Sequence, residues 1–181
     1  DLKPENIMLV ADPGAPGRQR VKILDFGVAK LASTNASKTG ASVIMGTPRY
    51  MSPEQCKGSG QVDDRADCYS LGVMLFEMLS GKLPFPGDGA GELIAQHMYK
   101  EPPKLQDAAP ECPAVAAELV DKLLRKTSAD RPAMAEVAAI FERLLSETSA
   151  VSSQVVGMAQ TPASVAEDES VLRTRSSTLR G

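Results

Sequence analysis

Residues 64–80 carry apolar side chains on most faces of a helix, among them Leu71, Val73, Met74, Leu75, Met78 and Leu79, and Gly81 follows as a natural stop. A helix that is apolar nearly all round is stable only when other elements cover it, so this one belongs at the centre of a domain. Two further stripes at helical spacing can supply that cover. One is Val115, Leu119, Val120, Leu123 and Leu124; the other is Met134, Val137, Ile140, Phe141, Leu144 and Leu145, opened by Pro132. Both are expected to face the core, and residues 92–99 predict a shorter helix. Aromatic residues are only 4% and Trp is absent, so that core must rest on Leu, Val, Ile, Met and Ala.

Ahead of the helices lie two short β-type runs, residues 6–10 and 21–24, with the turn formers of 12–17 between them. The pair predicts a hairpin with an extended, exposed loop. Residues 28–44 are rich in Ser, Thr, Ala and Lys without periodicity, which predicts a mobile loop. Beyond residue 145 the apolar pattern dissolves into a segment rich in Ser and Thr. Such composition buries too little surface to offset its ordering entropy, so 146–181 is expected to be a disordered linker or tail. The expected fold is mainly α with one small hairpin.

Chemistry concentrates at the start. Asp1-Leu2-Lys3-Pro4-Glu5-Asn6 supplies an acid able to accept a hydroxyl proton, a cation, and an amide oxygen five residues on. Asp25-Phe26-Gly27 supplies a carboxylate able to hold Mg²⁺, a hard cation that prefers oxygen ligands. In this order, each beside a β-type run, the two segments resemble the D-x-K-x-x-N catalytic loop and D-F-G motif of protein kinases. A third segment, Gly46-Thr47-Pro48-Arg49-Tyr50-Met51-Ser52-Pro53-Glu54, resembles the substrate-docking turn and A-P-E end of a kinase activation segment, with Ser52 in place of Ala. Leu83-Pro84-Phe85-Pro86-Gly87-Asp88 and Ala95-Gln96-His97-Met98 also look like bacterial Hanks-type serine/threonine kinases. The resemblance covers about residues 1–145.

That resemblance implies the C-terminal lobe of the kinase fold from the catalytic loop onward, and an enzyme that moves the ATP γ-phosphoryl group to Ser or Thr of protein substrates. Asp1 would accept or orient the substrate proton. Asn6 and Asp25 would hold Mg²⁺, with Mn²⁺ as an alternative, and Lys3 would neutralise charge on the transferred group. Thr47 would bridge Asp1 and Lys3, the pattern of Ser/Thr rather than Tyr specificity. Met8 matches the floor beneath adenine, though ordinary hairpin packing explains it too. Glu54 would pair with Arg131, and Asp67 would support the catalytic-loop backbone. Thr39 and Ser42 are the activation-loop phosphorylation candidates, and Glu5 could meet a basic substrate residue. A pseudokinase scaffold is the rival reading, and a decoy for kinase substrates is a third; the intact Asp1, Lys3, Asn6 and Asp25 favour an enzyme.

Composition excludes other classes. The net charge of −3 comes from mixed signs without a basic block, so nucleic-acid binding has no electrostatic support. No apolar stretch approaches a membrane span. Three widely spaced cysteines and one histidine offer neither a disulfide framework nor a zinc site, which points to a cytoplasmic setting. His97 is expected to be a structural or surface residue.

The catalytic aspartate is residue 1, and no stretch reads G-x-G-x-x-G. The Gly-rich loop, its lysine, the rest of the N-terminal lobe and the helix ahead of the catalytic loop are therefore missing partners of these 181 residues, and their loss should expose apolar surface. Residues 1–181 alone are expected to show no measurable kinase activity. Radiolabelled phosphate incorporation by the purified polypeptide, abolished by Asp1→Asn, would refute this.

Overall fold

The computed structural model describes residues 2–24, 48–58 and 62–158, with residues 16 and 147–158 described by backbone alone. It is mainly helical with one two-stranded antiparallel sheet. Strands β1 (Ile7–Ala11) and β2 (Gln19–Ile23) are followed by helices α1 (Pro53–Cys56), α2 (Arg65–Ser80), α3 (Ala90–Tyr99), α4 (Leu105–Ala108), α5 (Ala114–Leu123) and α6 (Met134–Met158). The chain divides into two compact units, Asp1–Ala139 and Ile140–Gly181. The second is described as the continuation of the α6 backbone.

The hairpin pairs Ile7 with Ile23, Leu9 with Val21 and Ala11 with Gln19. Asp12 organises its loop. The Asp12 N–H donates to the Arg18 carbonyl at 2.9 Å, its carboxylate accepts from the Gly14 N–H at 3.0 Å, and Arg20 meets the same carboxylate at 2.6 Å. The chain turns through left-handed conformations at Gly17 and Arg18, φ 68° and 57°. Met8, Leu9, Val21, Ile23 and Leu24 are all exposed.

Helix α2 is the axis of the first unit. It stops where expected: Gly81 takes φ 72°, and its N–H donates to the Glu77 carbonyl at 2.8 Å. Tyr69, Val73 and Phe76 of α2 join Phe85, Leu105, Ala117, Val120 and Leu124 in one buried cluster. Burying a side chain of this size contributes about 1.5–3 kcal/mol, so the cluster carries much of the folding free energy. Toward its end α2 loses cover, and Met78 and Leu79 are exposed.

On α6, Val137 is buried, Ile140, Phe141 and Leu144 are half-buried, and Met134 and Leu145 are exposed. The buried cluster is filled from α2, α4, α5 and neighbouring segments, with no member from α6. The regular backbone also runs past residue 145, because α6 stays helical to Met158. No proline or glycine interrupts residues 134–156, and Ser and Thr weaken a helix without breaking it. The three cysteines are free, and Cys68 is fully buried.

Gly72 lets α2 and α5 approach. A β-carbon at that position would lie 2.7 Å from Leu123 Cβ and 3.3 Å from Leu124 Cδ2. Alanine is intrinsically the better helix former by about 1 kcal/mol. Here the overlap should dominate, and Gly72→Ala should destabilise the fold by about 1–3 kcal/mol. Urea denaturation checks this, and an unchanged or higher midpoint would show that α5 shifts freely to admit the methyl group.

Candidate active site

Pro4, Glu5 and Asn6 form a 3₁₀ turn, with proline where its missing N–H costs nothing. The Asn6 N–H donates to the Lys3 carbonyl at 3.0 Å, and the turn runs directly into β1. Asn6 is buried while Lys3 is half-buried. At the far end of the hairpin, the Leu24 N–H donates to the Asn6 carbonyl at 2.9 Å. The ladder thus brings the Lys3–Asn6 turn beside the residue that precedes Asp25 in the chain. Met8 sits on β1 with 46% of its surface exposed. Asp1, Asp25, Thr39, Ser42 and Thr47 lie outside the described residues.

Residues 48–52 form a turn that the helices hold by its backbone. The Arg49 carbonyl accepts from His97 Nε2 at 3.0 Å, and the Tyr50 carbonyl accepts from the Ser70 hydroxyl at 2.7 Å. The Tyr50 hydroxyl donates to Glu77 at 2.7 Å. Burial first, and then this bond to a carboxylate, push the Tyr50 phenol well above its usual range. Ser52 ends the turn as the N-cap of α1. Its hydroxyl accepts from the Gln55 N–H at 3.4 Å, while the Gln55 side chain accepts from the Ser52 N–H at 2.9 Å. This reciprocal capping box satisfies two amides that a helix start leaves open.

Arg131 joins α1 to the rest of the unit. Its Nη1 and Nη2 donate to the two Glu54 oxygens at 2.6 and 2.9 Å. The remaining donors reach the carbonyls of Arg125 (2.7 Å), Arg65 (2.8 Å) and Lys126 (3.0 Å). All five guanidinium N–H groups are therefore used, and the plane lies 4.9 Å from the Tyr69 ring centroid. Burial alone would push the Glu54 carboxyl up. The hydrogen bond and charge of Arg131 outweigh it and hold Glu54 below the ordinary carboxylate value. Asp67 stands half-buried in the first turn of α2, a position the helix dipole favours for a carboxylate.

His97 on α3 is fully buried. Because a carbonyl can only accept, the bond to Arg49 requires a proton on Nε2. Nδ1 is then the acceptor for the Tyr69 hydroxyl at 3.0 Å. The Phe85 and Tyr69 rings meet the imidazole edge-on at 5.0 and 5.7 Å. Lys126 donates to the Gln96 and His97 carbonyls at 3.2 and 2.7 Å and lies 4.3 Å from the Phe85 ring centroid. Burial brings the Lys126 ammonium down to about 8. Burial, and then the charge of Lys126, bring His97 down to about 4, against the opposing effect of the Arg49 carbonyl.

The profile of the protein kinase domain matches residues 1–140. The chain belongs to the protein kinase family. Its relatives place it in the bacterial serine/threonine branch. It is 44% identical over 132 residues to serine/threonine-protein kinase Pkn1 of Myxococcus xanthus, covering 72% of this chain and 18% of that protein. It is 41% identical over 139 residues to serine/threonine-protein kinase A of Synechocystis, covering 76% and 26%. To the DNA damage-responsive serine/threonine-protein kinase RqkA of Deinococcus radiodurans it is 38% identical over 165 residues, covering 89% and 24%. The chain thus spans about a quarter or less of each of these curated relatives. Its hairpin and helices make up part of the protein-kinase fold. Among the described residues no helix is long and apolar enough to cross a membrane, and no group of three or more His, Cys, Asp or Glu could hold a metal ion.

Of the residues singled out in the sequence, the structure brings Glu54 to Arg131 and the Asn6 carbonyl to the Leu24 N–H. Two groups carry more than sequence reading assigned them. Ser52 reads as a small substitute for alanine, yet S-x-x-Q is itself a capping-box signature. His97 reads as structural, and no local pattern announces partners on α2 and in the docking turn.

The buried neutral His97 has a pH consequence. Its folded value of about 4 lies below the ordinary 6.5, so between those limits the unfolded chain binds a proton that the folded chain refuses. Stability from this group is complete above about pH 6.5 and is lost as pH falls toward 4, by up to about 3 kcal/mol. Denaturation midpoints from pH 7 to 4.5 should fall less steeply in His97→Gln. Equal slopes would show that His97 protonates freely in the fold.

Proposed function

We propose that the protein carrying this chain is an ATP- and Mg²⁺-dependent serine/threonine protein kinase. Residues 1–145 belong to its catalytic domain, and 146–181 form a Ser/Thr-rich tail. One observation carries the reading. The kinase-domain match over residues 1–140 includes Asp1, Lys3, Asn6 and Asp25, an acid, a cation and two oxygen donors in the order phosphoryl transfer requires.

Asp1 accepts or orients the proton of the acceptor hydroxyl, and Lys3 neutralises charge on the transferred group. Asn6 and Asp25 offer an amide and a carboxylate oxygen, a donor set that fits hard cations such as Mg²⁺ or Mn²⁺. The Leu24–Asn6 hydrogen bond supports their pairing by holding the two chain segments side by side. When bound, the metal offsets phosphate charge and ATP supplies the phosphoryl group. The protein's contribution is position and electrostatics. Met8 leaves apolar surface on β1 for the adenine ring, and Thr47 bridges Asp1 and Lys3.

Substrates are proteins with Ser or Thr acceptors, met in the cytoplasm, and the N-terminal lobe of the kinase fold is the partner that closes over ATP. Phosphorylation at Thr39 or Ser42 adds about −1.5 to −2 charge to the activation segment and orders it against a cation.

With ATP and Mg²⁺, the native gene product should label a Ser- and Thr-containing protein, yielding phosphoserine or phosphothreonine and no phosphotyrosine. Asp1→Asn should lower kcat by about 10²–10⁴-fold. Undiminished transfer in that variant would overturn the assignment.

A further inference from the structure

The residues assigned to the reaction lie in the catalytic loop, on β1, and in the D-F-G and activation segments, and none is on α3. Yet α3 reaches the docking turn through one buried ring. His97 Nε2 donates to the Arg49 carbonyl at 3.0 Å, while the next carbonyl, that of Tyr50, is held by Ser70 of α2 at 2.7 Å. Two successive carbonyls are thus tied to two different helices, which fixes the intervening peptide plane.

The ring itself has little freedom. Tyr69 occupies its other nitrogen, the Phe85 and Tyr69 rings flank it, and Lys126 grips the His97 carbonyl at 2.7 Å. The Arg49 side chain, by contrast, is exposed. The turn therefore has a backbone anchored inward and a basic side chain free to meet a partner.

We propose that His97, with its tautomer set by Tyr69, is a positioning residue for protein-substrate binding: it holds the Arg49–Tyr50 peptide where the substrate docks. The proposal rests on the kinase reading given above. It predicts a selective defect, because the anchored peptide lies in the docking turn, whereas the residues assigned to ATP and Mg²⁺ lie in other segments of the chain. Losing one buried hydrogen bond at the turn corresponds to about a 3- to 10-fold effect.

The experiment measures the native gene product. His97→Phe should raise KM for a protein substrate about 3- to 10-fold while KM for ATP changes less than about twofold. His97→Gln, which keeps an N–H able to reach Arg49, should restore most of the substrate affinity. Hydrogen–deuterium exchange at the Tyr50 and Met51 amides should quicken in His97→Phe. An unchanged substrate KM, or equal rises for substrate and ATP, overturns the proposal. If the unsubstituted protein transfers no phosphate, the kinase reading fails, and exchange alone decides the anchoring: unaltered protection at residues 49–52 refutes it. Should His97→Phe not fold, Tyr69→Phe removes a single hydroxyl and should give the same selective pattern, and a non-selective one refutes the proposal.

Discussion

The Arg131 guanidinium is the interaction on which the placement of α1, and of the turn before it, depends. Its five donors reach Glu54 at the start of α1, the Arg65 carbonyl at the start of α2, and the Arg125 and Lys126 carbonyls beyond α5. Three segments distant in sequence are thereby fixed to one rigid plane. A buried ion pair contributes little net stability once desolvation is counted, but loss of one partner costs about 3–5 kcal/mol because the other charge is stranded. Its value lies in orientation. Glu54 follows the docking turn by two residues, so fixing Glu54 fixes where that turn ends.

From Arg131 the order passes through Tyr69. The guanidinium lies against the tyrosine ring, and the tyrosine hydroxyl holds His97, whose other nitrogen holds Arg49. The docking turn is therefore carried by side chains of α2 and α3 more than by its own backbone pairing, where Met51 to Pro48 at 3.3 Å is a long bond. A turn built this way can keep a geometry that no regular element imposes. The helices beneath it must in exchange pack without slack. Gly72, where a methyl group would meet Leu123, is one place where that closeness shows.

Much of this was legible in sequence, and the part that was not has a common cause. The mostly apolar run of α2, its Gly81 stop and the hairpin follow from local composition and turn formers, and each lies within a residue or two of the expected bounds. Glu54 and Arg131 stand 77 residues apart, beyond any local pattern, and were read from the order of motifs that surrounds them. Composition speaks to burial and not to local backbone, and α6 runs to Met158 through residues 134–156, where no proline or glycine interrupts it. His97 reads in sequence as structural or surface without its partners, because these come from the docking turn and α2 and only the fold brings them together.

Electrostatics explains why the histidine at this junction is neutral. Lys126 and Arg131 bring two positive charges to this junction; Glu54 pairs with Arg131, and carbonyl oxygens take the other hydrogen bonds. Lys126 takes those of Gln96 and His97, at the negative end of the α3 dipole, and Arg131 takes those of Arg65, Arg125 and Lys126. Protonation would turn Nδ1 into a donor and reverse the Tyr69 hydroxyl, while adding a buried charge close to the Lys126 ammonium. Burial is the larger cause and the Lys126 charge the second, and both push the same way. The neutral form gives one donor toward Arg49 and one acceptor toward Tyr69, which is the arrangement the docking turn requires.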